Sequence, residues 1–327
     1  MAEIERILVI GAGGQIGSEL TVALRARFGA DNVVASDIKD VPPPSLQDGP
    51  YSQLNILDRA AIEKIVDERR IDAIIDLAAL LSATGEKNPQ ACWNINVGGL
   101  VNCLEIARER NLKRVLCPSS IAAFGPETPH VNTPQDTILR PRTMYGVTKV
   151  TGELLIEYYN RRFGVDGRGL RYPGIISAET LPGGGTTDYA VEIFYKAVET
   201  GKYECFLRDD TMLPMMYMPD CIKATIDLFT APAEKLSRHG DYNVAAFSFT
   251  PAELVAEMRK HLPALEVTYE PDFRQAIADS WPASLDDQAA RRDWDWRPKY
   301  DLAAMTKDMI ERLRARHAGG RLYAAAH

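Results

Sequence analysis

Short apolar runs alternate with amphipathic segments through the first half of the chain. The apolar runs predict buried strands at 6–10, 32–36, 73–77, 114–118 and 169–172. A helical pattern follows each of the first four runs, and another helix is predicted at about 148–163. Regular alternation of strand and helix favours a parallel sheet with helices on both faces. Because such strands are buried on both sides, they read as continuous apolar runs. The sequence therefore predicts an α/β fold.

The alternation ends near residue 175. Residues 177–188 are rich in Gly, Pro and Thr and predict a loop, which leads into a helix at about 189–199. Short strands and helices follow in less regular order. We therefore divide the chain into a first domain at 1–175 and a smaller lobe at 176–316, which includes late elements returning to the main sheet. The composition predicts that a polar, Ala-rich tail at 317–327 is disordered.

Composition and charge exclude several classes of partner. The 327 residues are 46 % apolar and 25 % charged, with a net charge of -7 and no block of like charges. Nucleic acids and anionic membranes bind clustered basic surfaces, so we expect neither partner. The apolar run at 7–10 is too short for a secretion signal. No stretch approaches the roughly 20 apolar residues that cross a bilayer.

The cysteines and histidines predict no metal site and no disulfide framework. The five cysteines are scattered and never form a Cys-x-x-Cys pair, and the five histidines lack metal-ligand spacing. We therefore expect reduced, mostly buried thiols in a cytoplasmic protein.

A glycine-rich turn joins the first strand to the first helix. Its spacing is Gly-x-x-Gly-x-x-Gly, with Gly11, Gly14 and Gly17 as the glycines and Gln15 and Ile16 between the last two. Such glycines allow a tight turn, a close approach of the backbone to a pyrophosphate and close packing of helix on strand. The helix N-terminus favours the anion. The turn predicts a Rossmann-like, doubly wound sheet that binds a dinucleotide, although a turn needed only for packing is the alternative.

Asp37 supports the dinucleotide interpretation. It ends the second predicted strand, twenty residues after Gly17. A carboxylate there accepts hydrogen bonds from the adenosine ribose hydroxyls and repels a 2′-phosphate, which favours NAD over NADP. The alternative is an acidic residue of a surface loop, and the nearby Lys39 weakens the argument slightly.

Tyr145 and Lys149 are the candidate catalytic pair. They lie four residues apart at the start of a predicted helix, so both side chains share one face. A free phenol has a pKa of about 10 and is a poor base at neutral pH. A neighbouring ammonium and a bound, cationic nicotinamide ring favour the phenolate. By spacing alone, an ordinary amphipathic helix is the better explanation. The dinucleotide turn upstream reverses that preference, together with Ser120 at the carboxyl end of a strand.

With these motifs, residues 5–310 resemble the extended short-chain dehydrogenase/reductase family. The resemblance implies a catalytic triad of Ser120, Tyr145 and Lys149. Ser120 is chosen over Ser119 because it lies five residues before the family's glycine, here Gly125.

The resemblance also implies further contacts with the cofactor. Leu77, Ala78 and Ala79 match an apolar-Ala-Ala motif that closes the fourth strand against it. Asn55 and Ile56 take the place of an Asp-Ile pair that contacts adenine, and the asparagine departs from that pattern. The remaining implied contacts are Asn96, behind the site, and Tyr172 and Pro173, at the nicotinamide carboxamide. The tryptophan–proline turn at 294–298 is interpreted as structural.

Three positions narrow the range of substrates expected within the family. Sugar-nucleotide dehydratases carry acidic residues just after the catalytic Ser or Thr, where this chain has Ile121 and Ala122. Nucleotide-sugar enzymes often place an arginine seven residues before the aspartate matched here by Asp220, and this chain has Leu213. An apolar residue cannot neutralise a diphosphate, so we expect a smaller substrate.

The loop at 183–188 indicates which kind of small substrate the protein binds. Glycines and hydroxyls at a helix N-terminus suit a carboxylate, which makes Thr186 and Thr187 candidate ligands. Asp188 either caps the helix or faces a substrate ammonium. Ser82 is a further candidate, and Trp281 is either part of a mobile lid or a buried core residue.

The sequence of residues 182–191, together with those of 213–220 and 280–282, resembles the corresponding segments of a zinc-independent branch of the family that oxidises L-threonine. The resemblance implies that Tyr145 removes the proton of the 3-hydroxyl while NAD accepts a hydride from C3, giving 2-amino-3-ketobutyrate. The alternatives are a nucleotide-sugar epimerase or reductase on the same scaffold and a non-catalytic NAD-binding redox sensor.

The resemblance further implies a homodimer held by a four-helix bundle. The bundle is formed by the helix that carries Tyr145 and by the helix at about 96–111. Val97, Leu100, Val101 and Leu104 fit such a face, and they fit packing on the sheet equally well.

Overall fold

The computed structural model describes residues 4–181, 183–320 and 322. Its centre is a six-stranded parallel sheet in the order β3-β2-β1-β4-β5-β7. The strands are β1 Ile7–Ile10, β2 Val33–Asp37, β3 Tyr51–Gln53, β4 Ala73–Asp76, β5 Arg114–Leu116, β6 Ser119–Ser120, β7 Gly167–Arg168, β8 Leu170–Tyr172, β9 Gly174–Ile176, β10 Lys202–Cys205, β11 Leu213–Tyr217, β12 Tyr242–Asn243, β13 Phe247–Phe249 and β14 Glu266–Tyr269. This order confirms the Rossmann-like, doubly wound fold.

Helices cover both faces of the sheet. They are α1 Gln15–Phe28, α2 Arg59–Arg69, α3 Ser82–Lys87, α4 Pro89–Trp93, α5 Gly99–Arg110, α6 Met144–Phe163, α7 Tyr189–Thr200, α8 Met218–Thr230, α9 Pro251–Arg259, α10 Arg274–Ala278, α11 Gln288–Trp294 and α12 Leu302–Ala318. A π-helical turn at Asn94–Gly98 joins α4 to α5. Helix α6 begins four residues earlier than predicted, because the Thr143 hydroxyl caps it by accepting from the Gly146 N–H at 3.1 Å.

The surroundings of strand β1 explain why the first apolar run of the sequence is continuous. All four of its residues are buried. Ile7 and Val9 belong to the core beneath α1 and α8, whereas Leu8 and Ile10 belong to the core beneath α2 and α5. Successive side chains of a strand point to opposite faces, so a strand covered on both sides must be apolar at every position.

The later elements form three small sheets. Strand β12 returns to pair with β8 in the order β12-β8-β6, while β13-β11-β9 and β10-β14 form the other two. The division of the chain at residue 175 stays a prediction. Helix α12 extends to Ala318, two residues into the predicted tail, and Leu322 is buried. Residues 321 and 323–327 of that tail lie outside the described residues.

The inner face of α5 packs within the protomer. Leu100 and Leu104 are buried in the core with residues of the central sheet, and Val97 is buried as well. Of the two roles left open for these residues, the structure therefore supports packing inside the protomer, and only Val101 is partly exposed. Within the described part of the chain, no helix is both long and apolar enough to span a membrane.

Candidate active site

A cavity of about 330 Å³ opens at the carboxyl ends of the strands, and we call it the central cavity. It lies where the sheet order reverses between β1 and β4, the place where α/β sheets bind ligands. Nineteen of the residues predicted from the sequence line it: Gly11, Gly14, Gln15, Ile16, Gly17, Leu77, Ala78, Ala79, Ser82, Asn96, Ser120, Tyr145, Lys149, Tyr172, Pro173, Thr186, Thr187, Asp188 and Trp281. Cofactor-side, catalytic and substrate-side candidates therefore share one cavity.

The glycine turn has the geometry of a pyrophosphate cradle. Gly11 adopts φ +80°, and a Cβ there would lie 2.7 Å from the Ala78 nitrogen. A Cβ on Gly17 would lie 2.3 Å from the Gly11 carbonyl oxygen. Gly14 precedes α1 without a side-chain cap among the described residues, so the first N–H groups of the helix stay available. These features suit a phosphate group at the helix N-terminus.

Asp37 is held directly beneath this turn. Its Oδ2 accepts a hydrogen bond of 2.9 Å from the Gly13 N–H. A Cβ on Gly13 would lie 2.9 Å from the same oxygen, so the short residue lets the carboxylate approach. Asp37 does not belong to the described lining of the central cavity, but the Gly13 contact ties it to the cradle. Gly13 falls on a variable position of the Gly-x-x-Gly-x-x-Gly motif, so the motif did not identify it as a site residue.

Tyr145 and Lys149 lie together on the first turns of α6. The Lys149 Nζ is 5.4 Å from the centroid of the Tyr145 ring. It also donates a hydrogen bond of 2.7 Å to the Pro118 carbonyl, which anchors the ammonium at the end of β5. Burial lowers the pKa of Lys149, but the neighbouring Tyr145, Cys117 and Asp76 outweigh burial and raise it overall. Lys149 is therefore a cation that faces the phenol.

Ser119 and Ser120 have different surroundings. The Ser119 hydroxyl donates to Glu153, which in turn pairs with Arg171 at 2.8 Å in a buried ion pair. The Ser120 Oγ accepts a bond of 3.2 Å from the Ala122 N–H, which leaves its own proton free to be donated. This difference supports the choice of Ser120 over Ser119 as the serine facing a substrate.

The substrate-side candidates converge from two segments of the chain. The Ser82 and Thr186 hydroxyls lie 3.1 Å apart in a hydrogen bond, although 104 residues separate them. The Asp188 carboxylate accepts from the N–H groups of Gly184 and Gly185 at 2.9 and 2.6 Å. Of the two roles left open for Asp188, the helix cap is not seen, since its side chain makes no capping bond among the described residues; contact with a substrate ammonium stays a prediction. Burial raises the pKa of Asp188 to about 6, although the glycine N–H groups oppose that shift.

Asn96 and Tyr172 support the cavity wall from behind. The Asn96 side chain accepts from the Leu80 N–H at 2.9 Å and donates to the Leu80 carbonyl and the Thr148 hydroxyl, each at 3.0 Å. It thereby holds the segment that follows β4 against α6. The Tyr172 hydroxyl hydrogen-bonds with the Thr225 hydroxyl at 2.5 Å, so its polar end faces α8. Both side chains position backbone that lines the central cavity.

Of the two roles left open for Trp281, the structure supports the buried core residue, since its side chain packs in the hydrophobic core while it lines the central cavity; a mobile lid stays a prediction. Asn55 and Ile56 do not belong to the described lining. The Asn55 side chain accepts from the Leu57 N–H at 3.0 Å, and the Ile56 carbonyl accepts from Asn102 at 3.0 Å. Their contact with adenine stays a prediction.

Among the lining residues that were not predicted from the sequence, three carry polar side chains that no motif indicated: Asp76, Thr84 and Cys117. Asp76 is the last residue of β4, and Cys117 follows the last residue of β5. Polar residues that end buried parallel strands meet at the ligand-binding edge of a sheet, so this signal was present in the sequence. Thr84 lies in α3 and comes near Gly184 through the tertiary fold alone.

The fold and the site together define an NAD-binding enzyme scaffold, and residues 7–245 match the model of the NAD-dependent epimerase/dehydratase family. The chain belongs to this family, and its cofactor is NAD. It is 50 % identical to the mitochondrial L-threonine 3-dehydrogenase of Bos taurus, over 94 % of this chain and 83 % of that protein.

Solved structures extend this similarity to the whole fold. The L-threonine dehydrogenase of Phytophthora infestans is 53 % identical, with a TM-score of 0.92 over 95 % of this chain and 99 % of that one. A monomeric L-threonine 3-dehydrogenase of metagenomic origin is 48 % identical, with a TM-score of 0.91 over 94 % of this chain and 99 % of that one.

Proposed function

We propose that the protein oxidises L-threonine at its 3-hydroxyl to 2-amino-3-ketobutyrate with NAD. The observation that carries this proposal is the central cavity itself. It joins the glycine cradle, the Tyr145–Lys149 pair and the small, hydroxyl-bearing loop at 183–188 in about 330 Å³. The similarity to threonine dehydrogenases of about half identical sequence supports this choice of substrate.

The chain offers a complete set of groups to hold the cofactor. Gly11, Gly14 and Gly17 would cradle the pyrophosphate, since side chains at Gly11 and Gly17 would collide with the backbone of the turn and of the strand beside it. Asp37 would accept the ribose hydroxyls at the adenosine end. When bound, NAD accepts the hydride that leaves C3 of the substrate.

Tyr145 serves as the general base. Its phenolate removes the proton of the 3-hydroxyl, and the Lys149 ammonium, held at Pro118, stabilises that phenolate. Ser120 donates a hydrogen bond to the same substrate oxygen, because its Oγ accepts from Ala122 and keeps a free proton. The buried walls of the cavity exclude water and strengthen these charge interactions.

The head group of the amino acid is held by polar groups from two segments. Ser82 and the two threonines Thr186 and Thr187 offer hydroxyls for the substrate carboxylate. Asp188 offers a carboxylate for the ammonium. Trp281 closes the apolar side of this end. These groups lie on loops and on the first turn of a short helix rather than on the central sheet.

Formation of NADH in the presence of L-threonine tests the proposal. The assay compares L-threonine with L-serine, L-allo-threonine and UDP-galactose as substrates. We expect L-threonine to be oxidised most efficiently and the nucleotide sugar not to react. Epimerisation or reduction of UDP-galactose without threonine oxidation would refute the proposal.

Tyr145→Phe tests the role of the base. We expect kcat to fall by about 100-fold or more, the typical contribution of a general base. Tyr158→Phe is the matched control, since Tyr158 lies on the same helix and is 54 % exposed. A Tyr145→Phe enzyme with full turnover contradicts the mechanism.

We also propose that the enzyme is a cytoplasmic homodimer. Val147 and Leu154 lie two turns apart on α6 and are 38 % and 66 % exposed, an apolar face that a second copy would cover. All five cysteines are free thiols, as in a reducing compartment. Light scattering of the purified protein tests the dimer, with Leu154→Glu expected to give single chains. Cell fractionation tests the location.

A further inference from the structure

Asp76 is a buried carboxylate next to the catalytic pair, and the mechanism above does not use it. It ends β4 opposite Ile10 of β1 and is 3 % exposed. Its Oδ1 accepts a hydrogen bond of 3.0 Å from the Ala78 N–H. An asparagine oxygen could accept the same bond, so the fold does not require a charge at this position. A charge removed from water is costly unless another group compensates for it.

The groups around Asp76 indicate what that charge faces. The β4–β5 register pairs Ile75 with Leu116 and so places the following residues, Asp76 and Cys117, side by side. The Lys149 Nζ lies 2.7 Å from the carbonyl of the next residue, Pro118. Lys149, Cys117 and, from α5, Cys103 are the titratable groups that interact with Asp76. Asp76, Cys117 and Lys149 line the same cavity. Burial raises the pKa of Cys117 to about 12, so its thiol stays protonated and can donate to the carboxylate. Lys149 is therefore the cation that faces Asp76 among these titratable groups.

We propose that Asp76 is a positioning residue for the threonine oxidation proposed above: its carboxylate is the buried counter-charge that keeps Lys149 cationic and so sets the pH range in which the Tyr145–Lys149 pair works. Cys117 stabilises this carboxylate as its hydrogen-bond donor. Asp76 acts through Lys149 and touches neither the reacting hydroxyl nor the hydride.

The sign of the effect follows from electrostatics. An anion disfavours a second anion nearby and favours a cation. Removing the Asp76 charge therefore makes the Tyr145 phenolate easier to form and the Lys149 ammonium easier to deprotonate. Both limbs of the pH profile of kcat/KM, the acid limb set by Tyr145 and the alkaline limb set by Lys149, should therefore move to lower pH, by about one pH unit for a buried charge in the same cavity. Burial raises the pKa of Asp76 itself to about 7, against the opposing effects of Lys149, the Ala78 N–H and Cys117, so the shift should be largest where Asp76 is ionised, above about pH 7.

Asp76→Asn measures this shift. Asp220→Asn is the matched control, because Asp220 is also a buried carboxylate but accepts from the backbone of Lys299 and Tyr300, outside the described cavity lining. We expect the Asp76 variant to shift both limbs and the Asp220 variant to leave them in place. Unshifted limbs in a folded Asp76→Asn enzyme, or equal shifts in both variants, overturn the proposal.

A milder variant covers the case in which Asp76→Asn does not fold. Cys117→Ala removes the hydrogen bond to the carboxylate and leaves more of Asp76 protonated near neutral pH, so both limbs should shift in the same direction by a smaller amount. An unchanged profile in Cys117→Ala, if Asp76→Asn is unfolded, also overturns the proposal.

An optical titration separates this proposal from the choice of substrate. The near-ultraviolet absorbance of the phenolate, taken as the difference between each enzyme and its Tyr145→Phe counterpart, reports the ionisation of Tyr145 without any substrate. We expect Asp76→Asn to move this ionisation to lower pH even if L-threonine is not the substrate. An unmoved titration contradicts the role of Asp76, whereas an inactive wild-type enzyme contradicts only the proposed function.

Discussion

Replacement of Glu19 by glutamine should make the protein more stable at alkaline pH. Glu19 lies on α1 and is only partly exposed, and its Oε1 accepts a hydrogen bond of 2.6 Å from the Ser177 hydroxyl. Burial, with a smaller effect of the nearby Glu179, raises the pKa of Glu19 to about 7. Ser177, Arg312 and Arg316 act in the opposite direction but do not cancel the effect of burial.

The size of the stability change follows from the pKa of Glu19 in the folded and in the unfolded protein. The folded pKa lies above the ordinary value of 4.5, so the folded protein binds more protons than the unfolded chain between these values. The contribution of Glu19 to stability is therefore fully present below pH 4.5 and is lost as the pH rises to about 7. Its full size is roughly 3 kcal/mol, at about 1.4 kcal/mol per pKa unit. A glutamine side chain at this position keeps the acceptor for Ser177 but carries no charge at any pH, so this loss disappears.

Urea unfolding at pH 5 and pH 8, followed by tryptophan fluorescence, measures the effect. Relative to wild type, Glu19→Gln should gain roughly 2–3 kcal/mol of unfolding free energy between the two pH values. Glu68→Gln is the control, since Glu68 is 63 % exposed on α2, does not act on Glu19, and its replacement should change stability almost independently of pH. The reasoning is refuted if Glu19→Gln changes stability equally at pH 5 and pH 8.

Three other substitutions test the cradle and the core. Gly17→Ala places a methyl group 2.3 Å from the Gly11 carbonyl oxygen. Thermal melts should therefore show a loss of about 1–3 kcal/mol in the free energy of unfolding, and calorimetry should show weakened NAD binding. Unchanged affinity for NAD contradicts the role of the glycine turn as a pyrophosphate cradle. Asp37→Asn removes the charged acceptor, so the KM for NAD should rise about tenfold or more relative to that for NADP; an unchanged preference between the two cofactors contradicts its role. Arg171→Ala leaves Glu153 buried without its partner and should cost about 3–5 kcal/mol in urea unfolding; a loss below about 1 kcal/mol would mean that Glu153 is rehydrated.

Local sequence rules were sufficient to predict geometry that depends only on residues close together in the chain. Gly11 and Gly17 are required because the backbone turns within a few residues. Four-residue spacing on a helix places Tyr145 beside Lys149. The same rules left two roles open for Asp188, a helix cap or a contact with a substrate ammonium. In the structure the N–H groups of the preceding glycine loop bind the carboxylate, and the helix N-terminus does not. A short-range rule cannot decide which of two nearby sets of donors a side chain will bind.

The sequence by itself determined the parallel sheet, the glycine turn and the proximity of Tyr145 and Lys149, because each depends on periodicity or on spacing within a few residues. Only the tertiary structure joined Ser82 to Thr186, across 104 residues, and brought Gly13 to Asp37, across 24. It also brought Asp76 and Lys149 to the same cavity. Such contacts depend on which strand ends and loops meet at one edge of the sheet, and this is decided by the packing of the whole chain rather than by any local pattern.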